Sequence, residues 1–441
     1  MFKTICSYKN EQIQKGEGGL MAPQEQIINV VKRGERGKEP LNIEKIHEMV
    51  EYACEDIAGV SASQVEMSSG LQFYDGISTD EIQQILIKSA ADLISLDAPN
   101  YQFVAARLLL YSLRKQVIER LWDHPHIYDH TKKCVDKGLY DPQILQDYDK
   151  KDFDRMENWI NHERDYTFTY AGLRQVIDKY LVQDRSTGDV FETPQFMYML
   201  ISATVFAKYP KNKRMSYVKK YYDAISTFKI NIPTPVMAGV RTPLKQYASC
   251  VLVDVDDNLP SIFSSDMAIG RYVAQRAGIG INAGRIRGIN SRIRGGEVQH
   301  TGVIPFLKKF EATVKCCTQN GVRGGSATVH FPIWHQEIED IIVLKNNKGS
   351  EDNRVRKLDY SIQISKLFYE RFINEEEITL FSPHEVPELY EAWGTLEFDE
   401  IYKTAERKTS IKKKKISAQE LFFSILKERA ETGRIYIMNI D

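Results

Sequence analysis

The chain has 441 residues, of which 42% are hydrophobic and 27% charged, with a net charge of −1. That length admits two or three domains with a large core, and the near-neutral balance supplies no global attraction to nucleic acid or to a membrane surface. No apolar run reaches the roughly 18 residues of a spanning helix. The best stretch, residues 193–207, is uncharged but short and reads as a buried helix. The N-terminus lacks an apolar signal core. Six cysteines (Cys6, Cys54, Cys134, Cys250, Cys316 and Cys317) show no CxxC and no metal-ligand spacing. This points to a reducing, cytoplasmic setting and to no metal on this chain.

Residues 1–26 are polar and aperiodic and read as a flexible arm, with Met21 able to serve as an alternative start. Residues 27–120 read as a small α-rich domain. A short strand at 27–32 and a charged turn lead to a helix starting near Asn42. Ile43, Ile46, Val50, Ala53 and Ile57 share one face of it at 3.6 periodicity. Ser78-Thr79-Asp80-Glu81 has capping-box spacing and opens a second helix with the stripe Ile82, Ile85, Leu86, Ser89 and Leu93. A third follows Pro99 and runs through 107–121.

Residues 121–227 read as helical over 145–162, 170–180, 194–209 and 215–228, with Trp122, Trp159, Tyr166, Phe168 and Tyr170 as core. Residues 228–441 alternate strand and helix patterns. The strand candidates are 229–232, 250–253, 278–282, 327–331 and 361–364, and the helical stretches between them imply βα units and a mostly parallel sheet. The basic run 407–415 reads as the solvated start of a helix containing 421–428. It has no aromatic platform and is not taken for a nucleic-acid site.

Several clusters carry chemistry-bearing residues. Lys32, Arg33 and Lys45 sit beside a turn and a helix start, where they would gather phosphate charge or form a solvated face. Gly278-Ile279-Gly280-Ile281-Asn282-Ala283-Gly284 has the wrong spacing and context for a dinucleotide fingerprint, but its glycines allow close backbone approach to a ligand. Arg287, Arg294, Gly295 and Gly296 form a second basic loop, equally readable as solvated arginines. Residues 317–326, with three glycines, Gln319 and Arg323, form a re-foldable loop or a plain surface one. Cys250 heads an apolar strand and would alone be inert filling.

These motifs resemble, in order, those of the large, catalytic subunit of class I ribonucleotide reductases. The resemblance rests on Pro233-Thr234-Pro235-Val236-Met237, Ser249-Cys250-Val251-Leu252 and Arg276-Ala277-Gly278-Ile279-Gly280. Gln319-Asn320-Gly321-Val322-Arg323-Gly324-Gly325 and Leu344-Lys345-Asn346-Asn347-Lys348-Gly349 extend it, and it runs from about Asn29 to Asp441. The fold it implies is α/β: an N-terminal α-rich ATP cone (27–120), a helical region (121–227), then the first half of a ten-stranded α/β barrel with the specificity site (228–441).

The activity it implies is thiyl-radical reduction of ribonucleoside diphosphates to 2′-deoxyribonucleoside diphosphates. Cys250 would be one of two thiols delivering reducing equivalents, with Thr234, Ser249 and Gly278 contacting substrate. The ATP/dATP activity site would use Lys32, Glu39, Pro40, Leu41, Asn42, Ile43, Glu44, Lys45, Thr79 and Lys115. The turn from Arg33 to Glu39 is one residue longer than in the family pattern, which implies weaker dATP inhibition. The dNTP specificity site, between subunits of a dimer, would use Asp257, Asn258, Leu259, Arg287, Ile293 and Arg294. Gln319 and Arg323 would lie on the loop that passes the specificity signal to the substrate.

In the family the radical cysteine lies in an Asn-x-Cys-x-Glu motif beyond the segment resembling Gly433-Arg434-Ile435-Tyr436-Ile437. The expectation is therefore a split large subunit. A C-terminal chain would supply the radical cysteine, a small subunit the metal-radical centre, and thioredoxin or glutaredoxin the electrons. Rival readings are a nucleotide-sensing regulator without catalysis, which would ordinarily carry CxxC pairs this chain lacks, and an inactive reductase relic.

Overall fold

A computed structural model describes residues 28–32, 37–70, 72–119, 122–318 and 324–441. The arm at 1–26, Arg33 in the charged turn, and Gln319 and Arg323 in the glycine-rich loop lie outside the described residues. The chain divides into two compact units: one reaches Ser112 and adds Phe168–Ala171, and the other comprises Leu113–Thr167 and Gly172–Asp441.

The first unit has a three-stranded sheet and helices. Strand Asn29–Val31 pairs antiparallel with Lys38–Pro40 and parallel with Ile77–Ser78. Asn42 caps helix Ile43–Cys54 by accepting from the Lys45 N–H at 3.1 Å, satisfying one orphan donor of the first turn. Ile46, Val50 and Ala53 are buried as the periodicity requires, while Ile43 is exposed and Ile57 falls past the helix end. Helix Thr79–Asp92 opens with the full capping box: Ser78 Oγ accepts from the Glu81 N–H and the Glu81 carboxylate accepts from the Ser78 N–H. Helix Ala62–Gly70 has only a faint apolar stripe and escapes sequence reading.

In the second unit, helix Pro194–Phe206 is buried from Pro194 through Ala203, and helix Lys211–Ser226 packs along it. The single helix expected over 145–162 is broken. Tyr148 is extended, and Asp149 accepts from the Asp152 N–H to start a new helix, Lys150–Glu157. Helix Ile127–Asp136 lacked a clear sequence signal. Trp122, expected in the core, is 55% exposed, and Trp159 is half-buried. The buried Arg114 guanidinium lies 5.9 Å from the centre of the Trp122 ring, so the indole caps a buried cation from the surface instead of filling the interior.

The sheet core is five parallel strands in the order Ile435–Asn439, Asp359–Ile364, Ala327–Pro332, Gly278–Asn282, Cys250–Asp254. The strand expected at 229–232 does not form. Phe228 takes φ +58 and the Lys229 N–H bonds back to the Ala224 carbonyl, so these residues terminate helix Lys211–Ser226. The basic run 407–415 is also reassigned. Its lysines enter strand Lys413–Ser417, antiparallel to Glu377–Phe381, where Lys415 meets Glu377 at 3.2 Å and Lys414 meets Glu339. Carboxylates on the paired strand (Glu377) and on helix Ile338–Ile342 (Glu339) stabilise lysines that a helix start would repel, and the helix begins at Ala418, capped by Ser417.

One sheet face is dry. Ile279, Ile281, Val329, Phe331, Tyr360, Ile362 and Ile435 pack there against Ile269, Leu307, Phe310 and Leu421 from the flanking helices. The other face carries Cys250, Leu252 and Asp254 beside Gly278, Gly280 and Asn282, then Thr328 and His330. It is open: Leu252 is 84% exposed, and Tyr436 and Met438 are exposed on the far strand. Among the described residues no helix is long and apolar enough to cross a membrane.

Candidate functional site

The open sheet face holds the first cluster. Strand Cys250–Asp254 is read residue for residue against Gly278–Asn282, so Cys250 stands opposite Gly278. The Gly278 N–H donates to the Ser249 carbonyl at 2.7 Å. Cys250 is a free, exposed thiol, available for chemistry and not buried filling. At Gly280 a Cβ would lie 2.6 Å from Leu252 Cδ2, the end of an exposed side chain that can move aside, and 3.4 Å from His330 Nε2. His330 was not flagged by the sequence. Burial lowers its pKa, and among the described residues its buried Nδ1 has no hydrogen-bond partner. Thr234 is half-buried and opens the short helix Thr234–Gly239.

The second cluster lies at the carboxyl ends of the same strands, the end where parallel sheets ordinarily bind ligands. Asp257 follows strand Cys250–Asp254, and Arg287 follows Gly278–Asn282. They meet as a pair: Arg287 Nε donates to Asp257 Oδ2 at 2.7 Å and the Arg287 backbone N–H to Oδ1 at 3.0 Å. Arg287 also donates to the Arg292 carbonyl at 2.9 Å, tying it to the hairpin Arg292–Ile293/Val298–Gln299. The hairpin tip is Arg294, Gly295 and Gly296, at φ +51, +70 and +103. Arg294 is exposed there, and Ile293 is half-buried. Asn258 caps helix Leu259–Ala274, accepting from the Ser261 N–H at 2.8 Å, and Leu259 is exposed at its first position. A helix N-terminus with two arginines and a carboxylate suits a triphosphate and a sugar hydroxyl. His384, 3.8 Å from Asp257, joins from a distant segment that gave no sequence signal.

The third cluster is in the first unit. Val31 pairs with Ser78, which brings Lys32 beside the start of helix Thr79–Asp92. Lys32 meets Glu39 at 2.6 Å, and this hydrogen bond holds the Glu39 carboxyl below its ordinary pKa. Pro40 ends the neighbouring strand, the Leu41 N–H bonds the Ile28 carbonyl at 2.8 Å, and Ile43, Glu44 and Lys45 form the first turn of helix Ile43–Cys54. Lys115 lies in the last turn of helix Tyr101–Ile118 and belongs to the second unit. Among the described residues no group of three or more His, Cys, Asp or Glu could hold a metal.

Comparison with known proteins matches these clusters to consecutive family domains. An ATP cone domain matches residues 28–116, a ribonucleotide reductase all-alpha domain 166–245, and a ribonucleotide reductase barrel domain 248–441. The chain belongs to the ribonucleotide reductase large-subunit family. Ribonucleoside-diphosphate reductase subunit alpha of Haemophilus influenzae is 52% identical over 414 residues, 93% of this chain and 55% of that protein. Ribonucleoside-diphosphate reductase 1 subunit alpha of Escherichia coli is 52% identical over 418 residues, covering 94% and 55%. The subunit alpha of Enterobacteria phage T4 is 45% identical over 421 residues, covering 94% and 55%. The chain thus spans about half the length of the curated relatives it matches. The ATP cone match supports binding of nucleotide effectors in the first unit.

Proposed function

We propose that this chain provides the nucleotide-regulated part of a ribonucleoside-diphosphate reductase large subunit. The observation that carries the reading is the ladder that sets the exposed Cys250 thiol opposite Gly278 on an open sheet face, with Asp257 and Arg287 paired at the far end of the same two strands. Substrate diphosphate lies over that face, contacted by Thr234, Ser249 and Gly278. Cys250 is one of the two thiols that end as a disulfide when the 2′-hydroxyl leaves as water, and thioredoxin or glutaredoxin reduces that disulfide for the next turnover. Deoxynucleoside triphosphates bind at Asp257, Asn258, Leu259, Arg287, Ile293 and Arg294, with Gln319 and Arg323 passing the signal to the substrate. ATP and dATP bind at Lys32, the residues from Glu39 to Lys45, Thr79 and Lys115.

The exposed side of the sheet needs cover, because parallel sheets are ordinarily buried on both faces. The remainder of the relatives' length, on this polypeptide or a second one, supplies that cover together with the radical cysteine. A small subunit supplies the metal-radical centre. The exposed stripe Leu259, Phe263 and Met267 on helix Leu259–Ala274, next to the effector cluster, supports a dimer contact there. Equilibrium binding to the full chain tests the regulatory half. ATP binding should be lost in Lys32→Ala with dTTP binding intact, and the reverse should hold for Arg287→Ala. One shared site for both nucleotides would contradict the reading.

A further inference from the structure

The segment bearing Arg287, Ile293 and Arg294 leaves strand Gly278–Asn282 and returns to helix Ile304–Cys316. Both of its stems end on one buried carboxylate. Glu337 accepts from the Ile289 N–H at 2.8 Å on the outgoing stem, and from the Val303 N–H at 3.2 Å through each oxygen on the returning stem. Its neighbours extend the same seam. His335 Nδ1 accepts from the Glu337 N–H at 3.1 Å, which leaves Nε2 as the donor to the Ile286 carbonyl at 2.9 Å. Gln336 donates to the Ile289 carbonyl at 3.1 Å. Gly302 has φ +87, and a Cβ there would lie 2.6 Å from Glu337 Oε1. The returning stem is therefore shaped around the carboxylate.

We propose that Glu337 is the positioning residue of the effector hairpin, fastening its stems at Ile289 and Val303 and so setting nucleotide affinity at Asp257, Arg287 and Arg294. This rests on the reading of that hairpin as a dNTP effector site. The ionised carboxylate accepts from these N–H groups through both oxygens in charge-assisted bonds; protonation turns Oε1 into an O–H and leaves Oε2 as a single neutral acceptor for both, which weakens the grip. Burial raises the Glu337 carboxyl to about 7, against the N–H groups of Val303 and Ile289, and Asp340 raises it further. His335, pushed down to about 4 by burial, stands neutral beside this seam, and burial lowers His300 as well. The grip is therefore strongest above pH 7 and weakened as pH falls through it, so effector affinity falls in the same direction.

The test is calorimetric titration of the full chain with dTTP at pH 8 and pH 6, for wild type, Glu337→Gln and Gly302→Ala. Amide exchange at Ile289 and Val303 is followed in parallel without nucleotide. The wild type should bind about tenfold more weakly at pH 6, and both variants about tenfold more weakly than wild type at pH 8. Glu337→Gln should show a flatter pH response, which separates Glu337 from titration of the nucleotide's own phosphates. Both amides should exchange faster in the variants. Wild-type dTTP binding with unchanged affinity, pH response and amide protection in Glu337→Gln would overturn the proposal alone. Absence of dTTP binding by the wild type would instead overturn the effector-site reading beneath it. Should Glu337→Gln fail to fold, wild-type amide protection at Ile289 and Val303 that stays constant from pH 8 to pH 6, after correction for intrinsic exchange, would still refute it.

Discussion

The N–H of Gly278 donates to the carbonyl of Ser249 at 2.7 Å, and the next step of the same ladder sets Gly278 against Cys250. A backbone bond thus fixes the thiol's height on the sheet relative to the glycine beside it. Because strand side chains alternate with period 2, a one-residue slip would turn Cys250 into the dry face among Ile279 and Ile281.

Cys250→Ser should leave this geometry intact, since it replaces an exposed thiol with a hydroxyl. The assembled enzyme carrying it should lose multiple turnover by at least about 100-fold while still binding effectors. Thioredoxin-supported product formation by the variant at the wild-type rate would contradict the assigned role.

Arg294 extends from the hairpin tip, and Arg287 is committed to Asp257 and the Arg292 carbonyl. Arg294→Ala should therefore weaken dTTP by about 1.5–3 kcal/mol, the loss of a charged hydrogen bond, without disturbing the hairpin. Arg287→Ala should cost more, because it also frees Asp257. Equal, small losses in the two variants on calorimetric titration would argue against this division.

Much of this arrangement was legible in the sequence, and its failures have physical causes. The βα alternation identified the parallel sheet, and strand Gly278–Asn282 was bounded correctly because its β-branched residues sit between turn formers. Ser78 and Glu81 announced their helix through side-chain chemistry alone. The residues at 229–232 misled because β-propensity is decided by a neighbouring strand, and here a helix terminus claimed the Lys229 N–H first. The lysines near 413 misled because their carboxylate partners, Glu377 and Glu339, lie far away in sequence. Glu337 and His384 reach the neighbourhood of Asp257 and Arg287 only through the tertiary fold, so no local pattern could reveal them.

Buried charge makes a stability prediction in the helical part of the second unit. Arg241 and Glu192 are fully buried partners, with Arg241 Nε 2.8 Å from Oε2, and Glu192 also accepts from Tyr140 at 2.6 Å. Glu192→Ala strands a guanidinium in the core and should destabilise by about 3–5 kcal/mol. A denaturation midpoint close to wild type would refute the pair's importance.

Acidification should destabilise the same region. His124 and His162 stack with ring centroids 3.5 Å apart, and both His162 nitrogens are buried without hydrogen-bond partners among the described residues. Burial lowers His162 to about 3 and His124 to about 4. The unfolded chain protonates these rings near pH 6.5 and the folded one does not. Stability is therefore unaffected by them above 6.5 and falls as pH drops toward 4, by on the order of 1–2 kcal/mol from His162 at pH 5 and by less from the more exposed His124, whose charge water screens. Thermal unfolding of His162→Phe between pH 7 and 5 should show a shallower decline. An identical decline would rule this stack out as a source.

The central claim is tested most directly by turnover. The chain is assembled with the remaining large-subunit segment and the small subunit, then given CDP, ATP and reduced thioredoxin, and dCDP is quantified. ATP-stimulated dCDP formation that disappears with Cys250→Ser is the predicted result. No dCDP from the wild-type assembly, or undiminished dCDP from the Cys250→Ser assembly, would contradict the account.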